Sequence, residues 1–215
     1  MQNYHLSYDR DRALRRRQDM ALKNRRTGIN LFQISWIMVF ICLIVVNWQM
    51  RTSAPSWPPP GAQRLEPLLP TLATVGLLTS VFFTRRALRS LAADQRGAFF
   101  QGWRITLGLG AAFIAIMLYE WLTIPTGLDS TQGSMALVTS ESLIWVTQYV
   151  TVFRVMTAFH GFHALVIGVY MVWVMRRAEH GVYHSGDYWD AEAGAKLWYF
   201  VVVAWIMFYT VLYLI

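Results

Sequence analysis

The chain has 215 residues, of which 55% are hydrophobic and only 14% charged, and it carries a formal net charge of +7 at pH 7. So much apolar surface excludes an ordinary soluble domain, and the single cysteine, Cys42, excludes an internal disulfide or a thiolate metal cluster. The basic excess is scattered along the chain rather than gathered into one interleaved stripe, so no nucleic-acid partner is expected.

A basic arm over residues 1–28 comes first, with Arg10, Arg12, Arg15, Arg16, Arg17, Lys23, Arg25 and Arg26. Its thin apolar face of Leu14, Ala21 and Leu22 fits either a tail lying on anionic headgroups or a solvated, partner-bound one. A spanning helix needs roughly 20 mostly apolar residues. Five stretches meet this, about 29–49, 68–84, 98–118, 149–174 and 197–215, and they predict an all-α membrane protein: a bundle of five transmembrane helices over 29–215. The first apolar run is too long for a cleavable signal and lacks a small-residue cleavage pattern, so it reads as a retained span. Basic residues stay on the cytoplasmic side of short loops. Under this assignment sixteen of the 19 lysines and arginines fall on one side, in the arm, in the loop after the second span with Arg104 just beyond it, and at Arg176, Arg177 and Lys196. The N-terminus is therefore expected inside and the C-terminus outside.

Between the first two spans lies Trp57-Pro58-Pro59-Pro60-Gly61, where consecutive prolines lack backbone donors and impose an extended, semi-rigid path suited to bracing a helix hairpin. Glu66-Pro67-Leu68-Leu69-Pro70 then restarts the membrane run, with prolines near the helix beginning, where a missing donor is tolerated. In the third span Gly108 and Ala112 form a small-xxx-small pair, thinned further by Gly110, Ala111 and Ala115, which predicts close helix approach there. Trp48, Trp121, Trp103, Trp173 and Trp198 are expected to anchor the membrane edges. The loop over 123–134, rich in Thr, Ser and Gly, is expected either to be mobile or to contact a partner.

Polar groups at membrane depth need partners. Thr157-Ala158-Phe159-His160-Gly161-Phe162-His163 places two imidazoles on one face of the fourth span. As metal or haem ligands they lack companions, since His5, His180 and His184 lie in aqueous segments, and no row of titratable groups crosses the bilayer. Packing and hydrogen bonding between helices is the expected role. Arg154, near the outer end of the fourth span, and Glu120, near the outer end of the third, fall at similar depth and are expected to pair through a bidentate guanidinium. The competing reading lets Arg154 snorkel to headgroups while Glu120 caps its own helix or faces the outer loop.

Taken in order, five features form a pattern: Ser35 in the first span; Trp57 to Gly61 followed by Glu66 to Pro70; Tyr119-Glu120-Trp121 closing the third span; Thr157 to His163; and Glu192 six residues before Trp198, with Trp205-Ile206-Met207-Phe208-Tyr209 beyond. The chain thereby resembles subunit III of the haem-copper terminal oxidases, in its short five-helix bacterial form, over nearly everything after Thr27. That resemblance implies a non-catalytic, stabilising subunit of a cytochrome c oxidase, packed directly against subunit I in the bacterial inner (plasma) membrane alongside other oxidase subunits, and open to a larger respiratory supercomplex. It implies no catalytic, cofactor or metal residue on this chain, haem and copper on partner subunits, and bound phospholipid. Ser35, Trp57, Pro58, Pro59, Gly61, Glu192, Trp198 and Trp205 are then structural, and Glu120, Arg154, His160, Gly161 and His163 make the intramembrane polar and packing motif. The chain departs from the family pattern at Trp36, where a glutamate is usual, and at Tyr199 and Val202, where a histidine and an aspartate are usual; Met117 stands where a glutamine is typical. Whether the chain assists proton entry near subunit I, a role that would depend on those titratable groups, is left open by these departures. Alternatives are a subunit III-like accessory protein of a quinol oxidase or nitric oxide reductase, and a small five-helix transporter, although the paired broken helices of the latter are not visible.

Overall fold

The structure, a computed structural model, describes residues 2–59, 62, 66–123, 140–183 and 187–215, with side chains from Arg12 onward apart from Gln18 and 140–142. Gly61 of the proline segment and nearly all of the loop over 123–134 lie outside the described residues. Five helices follow one another: α1 (Gln2–Ser53), α2 (Leu68–Ala92), α3 (Arg96–Thr123), α4 (Ser140–Glu179) and α5 (Trp189–Tyr209), the last running into a π-helical turn at Thr210–Leu214. All five are long and apolar enough to cross a membrane, and no β-strand forms among the described residues. A helix satisfies its own backbone hydrogen bonds, which hydrocarbon cannot do for it, so this all-helical outcome is what the five apolar runs require.

The chain divides into two compact units, residues 1–39 and 40–215. Within the first, Ser35 is exposed and its hydroxyl donates to the Leu31 carbonyl at 3.1 Å, while the rings of Phe32 and Trp36 meet edge to face at 5.6 Å. Within the second, α2 packs along α3 and α5, and α4 packs along the same two, so these four helices close a ring. Leu77, Phe99, Trp103, Phe113, Met171 and Trp205 fill its centre. A smaller cluster of Phe40, Val152, Met156, Ala204 and Phe208 joins the end of α1 to α4 and α5.

Close approach is set by a row of residues four apart on α3. Gly102, Thr106 and Gly110 are all buried, one above the other. A Cβ on Gly110 would lie 2.5 Å from Cη2 of Trp198, and one on Gly102 would lie 3.0 Å from the Phe83 carbonyl oxygen. Gly108 faces open space and Ala112 is exposed, so the pair expected from spacing is not the contact. Small-residue spacing names a helix that can approach closely but not the face that does, because lipid tolerates small residues as readily as a neighbour does.

The tryptophans divide similarly. Trp48 and Trp173 are half exposed, as edge anchors should be, whereas Trp103 and Trp198 are buried and bridge helices. Trp103 Nε1 donates to the Met171 carbonyl on α4 at 2.9 Å, and Trp198 Nε1 donates to Ser80 Oγ on α2 at 2.8 Å. Thr84 and Thr106 join α2 to α3 through their hydroxyls, 3.0 Å apart.

One polar knot closes the segment between α4 and α5. Arg177 Nη1 lies 3.2 Å from Asp190 Oδ2, which also accepts from the Tyr183 hydroxyl at 3.1 Å, and the guanidinium sits 4.8 Å over Trp173. Burial, reinforced by the Asp190 carboxylate beside it, pushes the Tyr183 phenol well above its usual range, so it remains a donor throughout the physiological pH span.

Gly110→Ala should therefore lower the thermal stability of the detergent-solubilised protein by about 1–3 kcal/mol, the usual cost of overpacking. Gly108→Ala, facing open space, should leave it unchanged. Equal effects at the two positions would contradict the placement of Trp198 against α3.

Candidate functional site

Helix α4 carries Thr157, His160 and His163 inward on successive turns. The His160 ring is completely buried in a cage of aromatic rings: Trp205 at 5.2 Å and 36°, Phe113 at 5.6 Å and 88°, and Phe40 and Phe208 both at 6.2 Å. Among the described residues, neither of its ring nitrogens has a hydrogen-bond partner. The cage is rigid because Trp205 is itself fixed, its Nε1 donating to Thr74 Oγ1 on α2 at 2.8 Å.

His163 behaves differently. Its Nδ1 is 2.6 Å from the Phe159 carbonyl oxygen one turn back, an acceptor only, so that nitrogen carries the proton and donates. Its ring packs against Phe159 at 4.5 Å and Phe40 at 5.5 Å. Phe40 thus touches both imidazoles. Gly161 is partly buried with open space where a Cβ would be, and it lines an apolar recess of about 330 Å³ between α3 and α4 with Phe113, Met117, Trp121, Thr157 and Leu165. At the rim of that recess Trp121 Nε1 donates to Thr157 Oγ1 at 2.8 Å, and Thr157 donates in turn to the Phe153 carbonyl at 2.7 Å.

Glu120 is buried near the end of α3. Its Oε2 accepts a hydrogen bond from the Tyr213 hydroxyl at 2.8 Å. The π-helical turn carries Tyr213, whose ring stacks on Tyr209 at 5.5 Å, and the Tyr209 hydroxyl lies 2.6 Å from Thr71 Oγ1 on α2. Arg154 is partly buried on α4, and its backbone carbonyl accepts from Thr157 at 3.4 Å. Sequence reasoning missed Tyr213. The only signal available was a hydroxyl-bearing aromatic near the C-terminal end of the last span, at the same end of the bundle as a buried acid.

The remaining matched residues lie apart from this seam. Trp57 packs edge-on against Tyr149 at 4.9 Å, Pro58 follows it across a cis peptide bond, and Pro59 is buried with its carbonyl accepting the Ala62 N–H at 3.0 Å. Glu192 sits in the first turn of α5, 3.5 Å from Lys196, at the opposite end of that helix from Tyr213. Ser35 and Trp36 belong to the other unit. Val202 is buried in the core, and Tyr199 lines a recess beside Arg85 and Arg89. Among the described residues, no three of His, Cys, Asp and Glu gather as a metal site would need.

Among the described residues, the arrangement offers hydrogen bonding and packing, with no nucleophile set beside a base and no row of exchangeable protons across the bundle. The family model described as "Cytochrome c oxidase subunit III" matches residues 13–215. Among similar proteins, one named cytochrome c oxidase subunit 3 from Synechocystis sp. is 26% identical over 194 residues, covering 89% of this chain and 76% of that protein. One of the same name from Thermostichus vulcanus is 29% identical over 196 residues, covering 89% and 87%. Another, from Lumbricus terrestris, is 30% identical over 195 residues, covering 87% and 69%.

Removing the phenol in Tyr213→Phe leaves the Glu120 carboxylate without that donor and should cost about 1.5–3 kcal/mol of stability, the range for hydrogen bonds to charged groups. Glu120→Gln should also destabilise. In thermal unfolding in mild detergent, the double mutant should lose clearly less than the sum of the two, and additive small losses would show that the contact carries little.

Proposed function

The chain belongs to the cytochrome c oxidase subunit III family, and we propose that it serves there as the non-catalytic, stabilising subunit of a bacterial cytochrome c oxidase. It is a multi-pass membrane protein of the respiratory chain, from a family that has no redox centre and works in a complex with other oxidase subunits. The finer reading is ours: the bundle packs directly on subunit I, haem and copper stay on partner subunits, and phospholipid fills grooves between helices. Its setting is the bacterial inner membrane, with residues 1–28 as a cytoplasmic arm and 29–215 as the membrane domain. Reporter fusions at Ala93 and at the C-terminus read this orientation directly, and a cytoplasmic C-terminus would reject it.

One observation carries the proposal, the match of residues 13–215 to a single family. A further feature supports it. Most of the buried polar side chains of α2 to α5 are engaged in hydrogen bonds, the use expected of a scaffold. Where the family pattern has a histidine and an aspartate in the last span, this chain has Tyr199 and Val202, so assisted proton entry is not part of the proposal. Within the scaffold Arg154 is assigned as a second partner of Glu120, and its coupling is read by adding Arg154→Gln to the cycle with Glu120→Gln.

Oxidase purified from cells lacking this chain should reduce oxygen at a near-normal initial rate and then lose activity over far fewer turnovers than the complete enzyme. Immediate, complete loss of activity with subunit I correctly assembled would overturn the stabilising role in favour of a direct catalytic one.

A further inference from the structure

At the end of α2 that leads into the arginine-rich segment before α3, a recess of about 480 Å³ opens between α2 and α5, lined by Val81, Arg85, Leu88, Arg89 and Tyr199. The four α2 residues occupy positions i, i+4, i+7 and i+8, a single face of the helix, so the two guanidiniums stand one turn apart over the same space. Arg104, Arg177 and Lys196 form ion pairs in this bundle, and neither Arg85 nor Arg89 takes part in those pairs. Among the described residues, the hydroxyl oxygen of Tyr199, on α5, is buried with no hydrogen-bond partner, and the charges acting on it are those of Arg85 and Arg89. Two guanidiniums and one phenol therefore border one recess, with no acceptor for them among the described residues.

Depth narrows what fits. Arg85 lies seven residues from the last residue of α2, about 10 Å along the helix axis. A guanidinium at that level meets lipid headgroups, and its planar fork matches phosphate oxygens in a bidentate way. Val81, one turn deeper along α2 than Arg85, and Leu88 between the two arginines supply apolar lining, suited to the glycerol and first methylenes of a lipid rather than to a fully hydrated ion.

We propose that Arg85, Arg89 and Tyr199 form a binding site for the phosphate of an anionic phospholipid. The inference rests on the lipid-binding part of the proposed function and gives it an address, while its test does not depend on oxidase assembly. The tyrosine matters because it stands where the family pattern has a histidine: a phenol donates one hydrogen bond to phosphate without adding a charge.

The test uses the full chain, delipidated in mild detergent and titrated with phosphatidylglycerol, phosphatidylcholine or inorganic phosphate, with binding read by native mass spectrometry and by thermal shift. Phosphatidylglycerol should bind saturably and raise the unfolding temperature, while phosphatidylcholine and inorganic phosphate do so weakly. The double variant Arg85→Gln/Arg89→Gln should weaken phosphatidylglycerol binding by at least about tenfold, as loss of two charge-assisted contacts implies. Tyr199→Phe, which keeps the ring and hence the packing, should weaken it by roughly threefold. Arg86→Gln/Arg176→Gln removes the same charge from exposed positions outside the recess and should change it less than about twofold. Equal loss in the two double variants would reduce the site to nonspecific attraction and overturn the proposal. So would saturable binding of inorganic phosphate that depends on Arg85, which would make a soluble phosphate the ligand. Undiminished phosphatidylglycerol binding in Arg85→Gln/Arg89→Gln would likewise overturn the proposal, since the recess would then not be where the lipid phosphate is held.

Discussion

An indole N–H inside hydrocarbon has no water to turn to, and in this bundle tryptophan N–H groups are what fasten helix to helix. Trp198 and Trp205 on α5 donate to Ser80 and Thr74 on α2, two turns apart, and Trp103 and Trp121 on α3 donate to the Met171 carbonyl and to Thr157 on α4. The acceptor hydroxyls do not compete with their own helices, because each also donates to a carbonyl three or four residues back, as Thr74 does to Pro70 and Ser80 to Leu77. Every serine or threonine in this set thereby closes two bonds at once. A polar contact of this kind between membrane helices contributes about 0.6 kcal/mol on average and up to roughly 1.7. Its larger effect is on register: an indole that must reach one hydroxyl fixes the rotation and depth of both helices.

The rest of the interior follows from those positions. Trp198 held to Ser80 brings the Cη2 edge of its indole against Gly110, so α3 has no room for a side chain there. Trp205 held to Thr74 forms one wall of the cage around His160, and Phe113 from α3 and Phe208 from α5 form others. Most of the polar side chains drawn into the bundle end in contacts of this sort, so its interior polar groups are spent on holding its own helices together.

Much of this was legible in the sequence, and the division has a physical cause. Apolar run length gave the five spans because bilayer thickness sets it directly. The ordered motifs gave the family because each sits on a particular span or loop. What periodicity could not give was the inward face: in lipid the outward face is as apolar as the core, so Ile37, Val75, Leu118 and Val169 are exposed without penalty. Hence the small-residue contact came from Gly102 and Gly110 rather than Gly108 and Ala112, and Trp103 and Trp198 proved to be interior fasteners rather than edge anchors. Likewise nothing in the spacing separated His163, which bonds its own helix, from His160, which sits among rings, since that difference lies in what the neighbouring helices present.

The most direct test of the tryptophan fastening is a double-mutant cycle between Trp198→Phe and Ser80→Ala, read as thermal or denaturant unfolding of the protein in bicelles. Both single variants should destabilise, and the pair should show a coupling of about 0.6–1.7 kcal/mol, the range for a direct interhelical hydrogen bond in a membrane. Strictly additive losses would mean that the indole and the hydroxyl act independently and that the helices are held by shape alone.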